Sequence, residues 1–138
     1  MSWINGDKCK FEELKGKIFV SIVGKAGDDI IKFKCINGEE YTLEHDQDCC
    51  EIVEVNDVNG DWEDLLNSPI LLAEEITFDN KNPEGIKIPE EQNSDMRSFT
   101  WTFYKLSTNK GSVTIRWYGK SNGYYSETVD LYKKSREI

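Results

Sequence analysis

Short runs of β-branched and aromatic residues, separated by connections that contain glycine, constrain the fold of this chain more than any other feature. Residues 18–23 and 29–35 are two such runs, joined by Gly24-Lys25-Ala26-Gly27. Runs of this length and composition are typical of β-strands, and a short join containing glycine is typical of a hairpin. The pattern recurs to the end of the sequence and predicts a mainly β, antiparallel fold.

The chain has 138 residues, enough for one compact domain and too few for two ordinary ones. We therefore expect a single domain over residues 1–138: an antiparallel meander sheet, or a small sandwich or roll, with one or two short helices. An α+β arrangement is the variant of this expectation. Residues 80–96 are polar and hold two of the three prolines, which predicts a mobile loop within the domain.

Two short helices and one further strand are predicted from spacing. Apolar residues recur at helical intervals over residues 11–18. A second helix is expected within residues 60–67, where Asp61 provides the N-cap and Pro69 ends the helix. Residues 51–55 alternate as a strand, and residues 70–77 fit either a strand or a helix.

The connection around Asn37-Gly38 sets the register of a second hairpin. A three-residue loop with Gly38 in the left-handed conformation makes one face of the hairpin apolar, whereas a two-residue Asn-Gly turn would divide the apolar side chains between both faces. We choose the three-residue loop. The pairs that it predicts are Phe33 with Tyr41, Ile31 with Leu43 and Lys34 with Glu40.

Three strand-like runs at the end of the sequence, residues 98–107, 112–119 and 124–132, are interpreted in the same way. Three-residue loops that end in left-handed Gly111 and Gly123 join them into a meander. The predicted core face of this meander consists of Trp101, Phe103, Val113, Ile115, Trp117, Val129 and Leu131. The predicted binding surface, on the side away from the core, consists of Tyr104, Arg116, Tyr118 and Tyr124.

Tyrosine and arginine dominate the hot spots of protein interfaces, so this surface predicts a non-enzymatic module that binds another protein. Arg116 is expected to stack on Tyr104 as a cation–π pair. A homodimer formed through a sheet edge or through the aromatic surface is a further expectation.

Charged residues are distributed unevenly along the chain. The net charge is −9, and residues 39–95 carry 18 acidic and 2 basic side chains. This argues against nucleic acid or an anionic membrane as a partner, because both require a basic surface. The acidic segment, residues 39–95, is typical of a solvated face, a cation site or a surface that binds a basic protein. If that basic protein is one that handles DNA, the acidic surface would act as a mimic of DNA.

The apolar runs are too short to span a membrane, and the first residues contain no apolar segment for secretion, so we expect a cytoplasmic protein. A reducing compartment would keep Cys9, Cys35, Cys49 and Cys50 as free thiols. We expect no cofactor and no zinc site made of cysteine alone.

Residues 45–51 (HDQDCCE) hold the densest set of acid, base and ligand-type side chains. His45 is the only histidine and is expected at the margin of the core, as a base or a metal ligand with Asp46, Asp48 and Cys49. The structural alternative is a half-buried histidine that is hydrogen bonded to the neighbouring turn.

Glu127 falls opposite Trp117 in the predicted meander, on the apolar face, where an unpaired carboxylate is costly. Three placements stay open: water at the sheet margin, an ion pair with Lys105 or another cation, or a pocket shared with His45. The last would make His45 and Glu127 candidate catalytic residues in acid/base chemistry, because burial and a close partner shift pKa values. We weigh this enzyme below the binding module.

Several strings of the sequence are long enough to be specific: HDQDCCE at residues 45–51, TWTFYK at 100–105, KGSVTIRWYG at 110–119 and SNGYYSE at 121–127. On these strings the sequence resembles a family of small uncharacterised proteins found in bacteriophages and bacterial genomes. The resemblance covers residues 30–131 and implies a phage or prophage context. The family is a domain of unknown function, so the resemblance supplies no catalytic residues.

Overall fold

The computed structural model describes Ile4 and residues 6–83 and 98–134. Within this part of the chain, nine strands and two short 3₁₀ helices are present. The strands are β1 (Gly6–Cys9), β2 (Phe19–Val23), β3 (Ile30–Cys35), β4 (Glu40–Glu44), β5 (Ile52–Asn59), β6 (Leu72–Asp79), β7 (Ser98–Thr108), β8 (Gly111–Ser121) and β9 (Asp130–Lys134). The 3₁₀ helices are Phe11–Leu14 and Trp62–Leu65.

Two antiparallel sheets confirm the expected fold class. One has the strand order β1-β9-β4-β3-β2 and the other has the order β5-β8-β7-β6. Buried side chains of both sheets belong to one hydrophobic cluster, so the arrangement is a small sandwich rather than a single meander. Both predicted helices occur as single 3₁₀ turns, and Asp61 caps the second by accepting a hydrogen bond from the N–H of Glu63 at 3.0 Å. The ambiguous segment, residues 70–77, forms most of β6.

The hairpin of β3 and β4 has the predicted register. Gly38 has a φ of 90°, and the three-residue connection places the apolar side chains on one face. The predicted pairs Phe33 with Tyr41, Ile31 with Leu43 and Lys34 with Glu40 are all present. This face supplies the core of the first sheet.

The predicted register of β7 and β8 is wrong by one residue. Thr108 pairs with Gly111, so only Asn109 and Lys110 connect the strands, and Gly111 does not have the positive φ that we expected. A shift of one residue turns every side chain of a strand to the other face. Tyr104 therefore faces the core, and Phe103, which we expected there, faces outward.

Packing of the second 3₁₀ helix explains this tighter turn. The hydroxyl of Thr108 donates to the carbonyl of Asp64 and accepts from the N–H of Lys110 at 3.1 Å. A Cβ atom at Gly111 would lie 2.7 Å from Oδ2 of Asp64. Glycine at this position therefore allows the second 3₁₀ helix to pack closely and does not form a left-handed turn. The local sequence does not distinguish these two roles.

The predicted pairing of the last run with β8 is also wrong. Gly123 has the expected left-handed conformation, with a φ of 92°. The chain after it crosses to the other sheet, where β9 pairs with β1 and β4. Leu131 still enters the core, from the sheet opposite Trp117. Glu127 consequently does not pair with Trp117, whose partner on β7 is Thr102.

Of the loop that we expected at residues 80–96, residues 80–83 are described, and the remainder lies outside the described residues. Asn80 has a φ of 54°, and its side chain accepts a hydrogen bond from the N–H of Phe99 at 3.0 Å. Asn82 accepts a hydrogen bond from the indole of Trp101 at 3.1 Å. The chain that leaves β6 therefore stays against the beginning of β7.

Candidate functional site

His45 and Glu51 close the loop between β4 and β5. Nε2 of His45 lies 2.9 Å from Oε2 of Glu51, and Nδ1 lies 2.6 Å from the carbonyl oxygen of Thr128. The side chains of His45 and Glu51 are 4% and 0% exposed. The ring thus lies between the carboxylate of Glu51 and a backbone carbonyl.

The carboxylate of Glu51 organises the rest of this loop. It accepts hydrogen bonds from the N–H groups of Cys49 at 2.7 Å and Asp48 at 3.1 Å, and from the amide of Gln47 at 3.0 Å. Burial raises the pKa of Glu51, but the hydrogen bonds to Cys49, His45 and Asp48 outweigh burial and hold that pKa below its ordinary value. Glu51 and His45 thus fix the loop, as in the structural alternative for His45.

Glu127 is buried beside the end of β8. Its carboxylate accepts hydrogen bonds from the hydroxyls of Ser121 and Thr100, the second at 2.7 Å. With 7% of the residue exposed, Glu127 does not lie in water at a sheet margin. Glu127 is not a hydrogen-bond partner of His45, whose two ring nitrogens contact Glu51 and the carbonyl of Thr128.

Two of the four cysteines differ from our expectation of free thiols. Cys49 and Cys50, which are adjacent and exposed, are joined by a disulfide bond. Cys9 and Cys35 are free. Burial and the neighbouring Glu13 raise the pKa of the Cys9 thiol to about 11, and burial also raises the pKa of Cys35.

The four predicted metal ligands do not converge. Asp46 and Asp48 are exposed, the sulfur of Cys49 is bonded to Cys50, and His45 is held by Glu51. Across the described ranges, no three side chains of His, Cys, Asp or Glu lie close enough together to hold a metal ion.

The predicted binding surface is divided between two faces of the second sheet. Tyr104 is fully buried, and its hydroxyl donates to the carbonyl of Val129 at 2.9 Å, so its expected place at the surface is wrong. The expected stacking of Arg116 on Tyr104 is wrong for the same reason. The guanidinium of Arg116 lies 5.5 Å from the ring centre of Trp101, and its Nε donates to Asn56 at 2.7 Å.

The other two predicted tyrosines lie apart. Tyr118 is beside Arg116 on the outer side of β8, with its ring centre 4.5 Å from that of Trp101. Burial and the charge of Glu127 raise the pKa of Tyr118. Tyr124 is 84% exposed, in the segment between β8 and β9, and its ring contacts that of Tyr125.

Arg116 and Tyr118 belong to a larger, mostly apolar set of side chains on the outer side of the second sheet. The set, called the aromatic face below, is partly exposed and consists of Ile76, Phe78, Phe99, Phe103, Arg116 and Tyr118. The rings of Phe78 and Phe103 meet edge to face with centres 5.8 Å apart. Together with Ile76 and Pro83 they line an open groove of about 320 Å³, which ends at Glu74 and Lys105.

Sequence reasoning missed most of this face because the register of β7 was wrong. In β6, Ile76 and Phe78 are an odd number of residues from the buried Ala73, so they lie on the opposite face of the strand. In the correct register, Ile76 pairs with Phe103, and Phe103 pairs with Arg116. One row of side chains thus crosses three strands.

In its described residues the chain is a small antiparallel β-sandwich with an aromatic outer face and a loop fixed by a buried carboxylate. No helix in these residues is long and apolar enough to cross a membrane. Residues 12–131 match the family model described as Domain of unknown function (DUF7448), so the chain belongs to that family. No curated protein and no solved structure matches the chain.

Proposed function

We propose that this protein is a non-enzymatic module that binds another protein through the aromatic face. The observation that carries this proposal is the groove between β6 and β7, which is lined by Ile76, Phe78 and Phe103. Ile76 is 53% exposed although it lies in the middle of a strand. Contiguous exposed apolar side chains on a sheet are typical of interaction sites, and aromatic side chains and arginine are enriched there.

The proposed partner is a basic protein segment with an apolar anchor. The groove has the dimensions to receive an aliphatic or aromatic side chain. Glu54 and Glu74 are exposed on the two edge strands of the sheet, at either side of the aromatic face. The net charge of −9 attracts a cationic partner over a longer range.

The proposal extends to the origin of the protein and its cellular compartment. The motif resemblance supports a phage or prophage origin, and the cytoplasm of a bacterial host is the compartment that goes with it. The acid/base alternative has less support, because His45 and Glu51 are buried and hydrogen bonded to each other.

Selection from a random peptide library displayed on phage tests this function without a known partner. We expect enriched peptides to combine lysine or arginine with an aromatic or large aliphatic residue. Their affinity for the purified protein, measured by fluorescence anisotropy, should fall as salt is raised. Ile76→Ser and Phe103→Ser should each weaken binding by about tenfold or more.

Val23→Ser is the matched control, because Val23 is 62% exposed on a strand of the other sheet. It should bind the selected peptides as well as the original protein does. The proposal is wrong if no peptide is enriched, or if Ile76→Ser and Val23→Ser have equal effects. If light scattering shows a dimer that Ile76→Ser dissociates, the face binds a second copy of this chain, and the proposal of a different protein partner is overturned.

A further inference from the structure

We propose that Cys49 and Cys50 form a reversible thiol–disulfide exchange site that reacts with low-molecular-weight disulfides and thiols. The bonded pair lies on the exposed loop between β4 and β5. This inference does not depend on the aromatic face, none of whose side chains lies in that loop.

A bond between adjacent residues contributes little to the stability of a fold. The entropic gain from a disulfide grows with the number of residues in the loop that it closes. Cys49 and Cys50 are separated by one position in the sequence, so their bond encloses no further residues and joins no two strands. Stabilisation of the fold therefore does not account for the pair.

Hydrogen bonds hold the loop without help from the sulfur atoms. The N–H of Cys49 donates to Glu51, and the carbonyl of Cys49 accepts from the amide of Gln47 at 3.2 Å. The same amide also donates to the carbonyl of Glu51 at 2.7 Å. Because the main chain on both sides of Cys49 is fixed in this way, reduction leaves two thiols side by side on a loop of unchanged course.

The exchange proceeds in two substitutions. The thiolate of one cysteine attacks a disulfide RSSR, forms a mixed disulfide and releases one RS⁻. The thiolate of the other cysteine then attacks the cysteine sulfur of the mixed disulfide and releases the second RS⁻. In total, two cysteine thiols and one RSSR give one vicinal disulfide and two RSH, so the two electrons lost by the cysteines are gained by RSSR.

Cys9 and Cys35 serve as internal controls within the same chain. Cys35 is buried, and Cys9 is partly buried beside Glu13. The thiolate is the nucleophile in exchange, and both of these thiols are held in the protonated form. They should stay reduced under conditions that oxidise Cys49 and Cys50.

Mass spectrometry of the folded protein tests the site. The full chain is reduced, equilibrated with mixtures of glutathione and glutathione disulfide, quenched with N-ethylmaleimide and then unfolded and alkylated again. We expect the loss of two hydrogen atoms in the peptide that contains Cys49 and Cys50, with maleimide on Cys9 and Cys35. Dithiothreitol should reverse the change, and the thermal midpoints of the two forms should agree within about 2 °C.

Two variants make the test sharper. Cys50→Ser should stop at a glutathione adduct on Cys49, because the second substitution lacks its thiol. Glu51→Gln weakens the hydrogen bonds that hold the loop, so formation of the Cys49–Cys50 disulfide should need a roughly tenfold more oxidising glutathione mixture. Glu54→Gln, on the exposed side of β5, should leave the required mixture unchanged.

The proposal is overturned if the folded protein never loses the two hydrogen atoms, or if a glutathione adduct accumulates on the unchanged pair. It is also overturned if the oxidised form is much more stable to heat than the reduced form, since the bond would then be structural. Equal behaviour of Glu51→Gln and Glu54→Gln would overturn the role assigned to the hydrogen-bonded loop. None of these results bears on peptide binding by the aromatic face.

Discussion

Three buried glutamates in the described part of the chain are each held by a different set of donors. Glu51 is held by backbone N–H groups and His45, Glu127 by two hydroxyls, and Glu39 by two lysines. Each carboxylate thus has its desolvation offset locally. These contacts account for the burial of three acidic side chains in the connections between strands.

Glu39 should make the stability of the fold depend on acid. Its carboxylate contacts Nζ of Lys17 at 2.8 Å and Nζ of Lys133 at 2.5 Å, and accepts from the amide of Asn37 at 2.7 Å. The hydrogen bonds from Lys133, Lys17 and Asn37 lower the pKa of Glu39 from 4.5 to about 2. A lowered pKa contributes stability that is present above about pH 4.5 and is lost as the pH falls toward about 2.

Glu39→Gln should therefore lower the free energy of unfolding by about 1–2 kcal/mol at pH 7, and the difference should shrink toward pH 2. Urea denaturation at several pH values measures this. Glu40→Gln is the control, because Glu40 is 39% exposed in its pair with Lys134 and should change stability much less. A deficit of Glu39→Gln that is as large at pH 2 as at pH 7 would contradict the assignment.

Among the strands and turns, the sequence predicts the register of one hairpin correctly and that of another wrongly. For β3 and β4, turn chemistry and burial agree, since Gly38 is left-handed and the same register gathers the apolar residues on one face. For β7 and β8, aromatic residues occupy both faces, so alternation does not identify the buried one. There the two-residue turn is accompanied by contacts of Thr108 and Gly111 with Asp64, a residue distant in the sequence.

The candidate site could likewise be predicted only in part. The loop of residues 45–51 was identified from its composition, but its partner at the core margin, Thr128, depends on the crossing of the chain between sheets. No local signal predicts that crossing, because a glycine turn such as Gly123 can either begin a hairpin or end the pairing of a strand.

Tyr104 should stabilise the packing of the two sheets against each other. Its ring lies in the core, and its hydroxyl donates to the carbonyl of Val129, which leads into β9 of the opposite sheet. Burial raises the pKa of Tyr104, so the phenol stays protonated and donates over the whole ordinary pH range. Tyr104→Phe should cost about 1–2 kcal/mol in urea denaturation, because a buried carbonyl loses its donor.

Tyr118→Phe is the control for this prediction, since Tyr118 is partly exposed on the aromatic face and should change stability by less than about 0.5 kcal/mol. The register that we first expected places Tyr104 at the surface and makes both substitutions mild. Equal and small effects of the two substitutions would therefore contradict the structure of β7.

At the scale of the whole molecule, one core lies between two sheets whose outer sides differ in character. The outer side of the second sheet carries the aromatic face, whereas the outer side of the first sheet combines the charged Lys32, Lys34 and Glu44 with the apolar Val23 and Ile30. The core must hold both sheets together for the aromatic face to keep its shape.

The two sheets should therefore unfold as one cooperative unit. Leu43 of β4 and Leu106 of β7 are both fully buried, and both belong to the single core cluster although they come from different sheets. Leu43→Ala and Leu106→Ala should each cost about 2–5 kcal/mol. Because neither sheet has a core of its own, either substitution should reduce amide hydrogen-exchange protection equally in β3 and in β8. Loss of protection confined to the substituted sheet would mean that the sheets open separately, and the aromatic face would then depend on the second sheet alone.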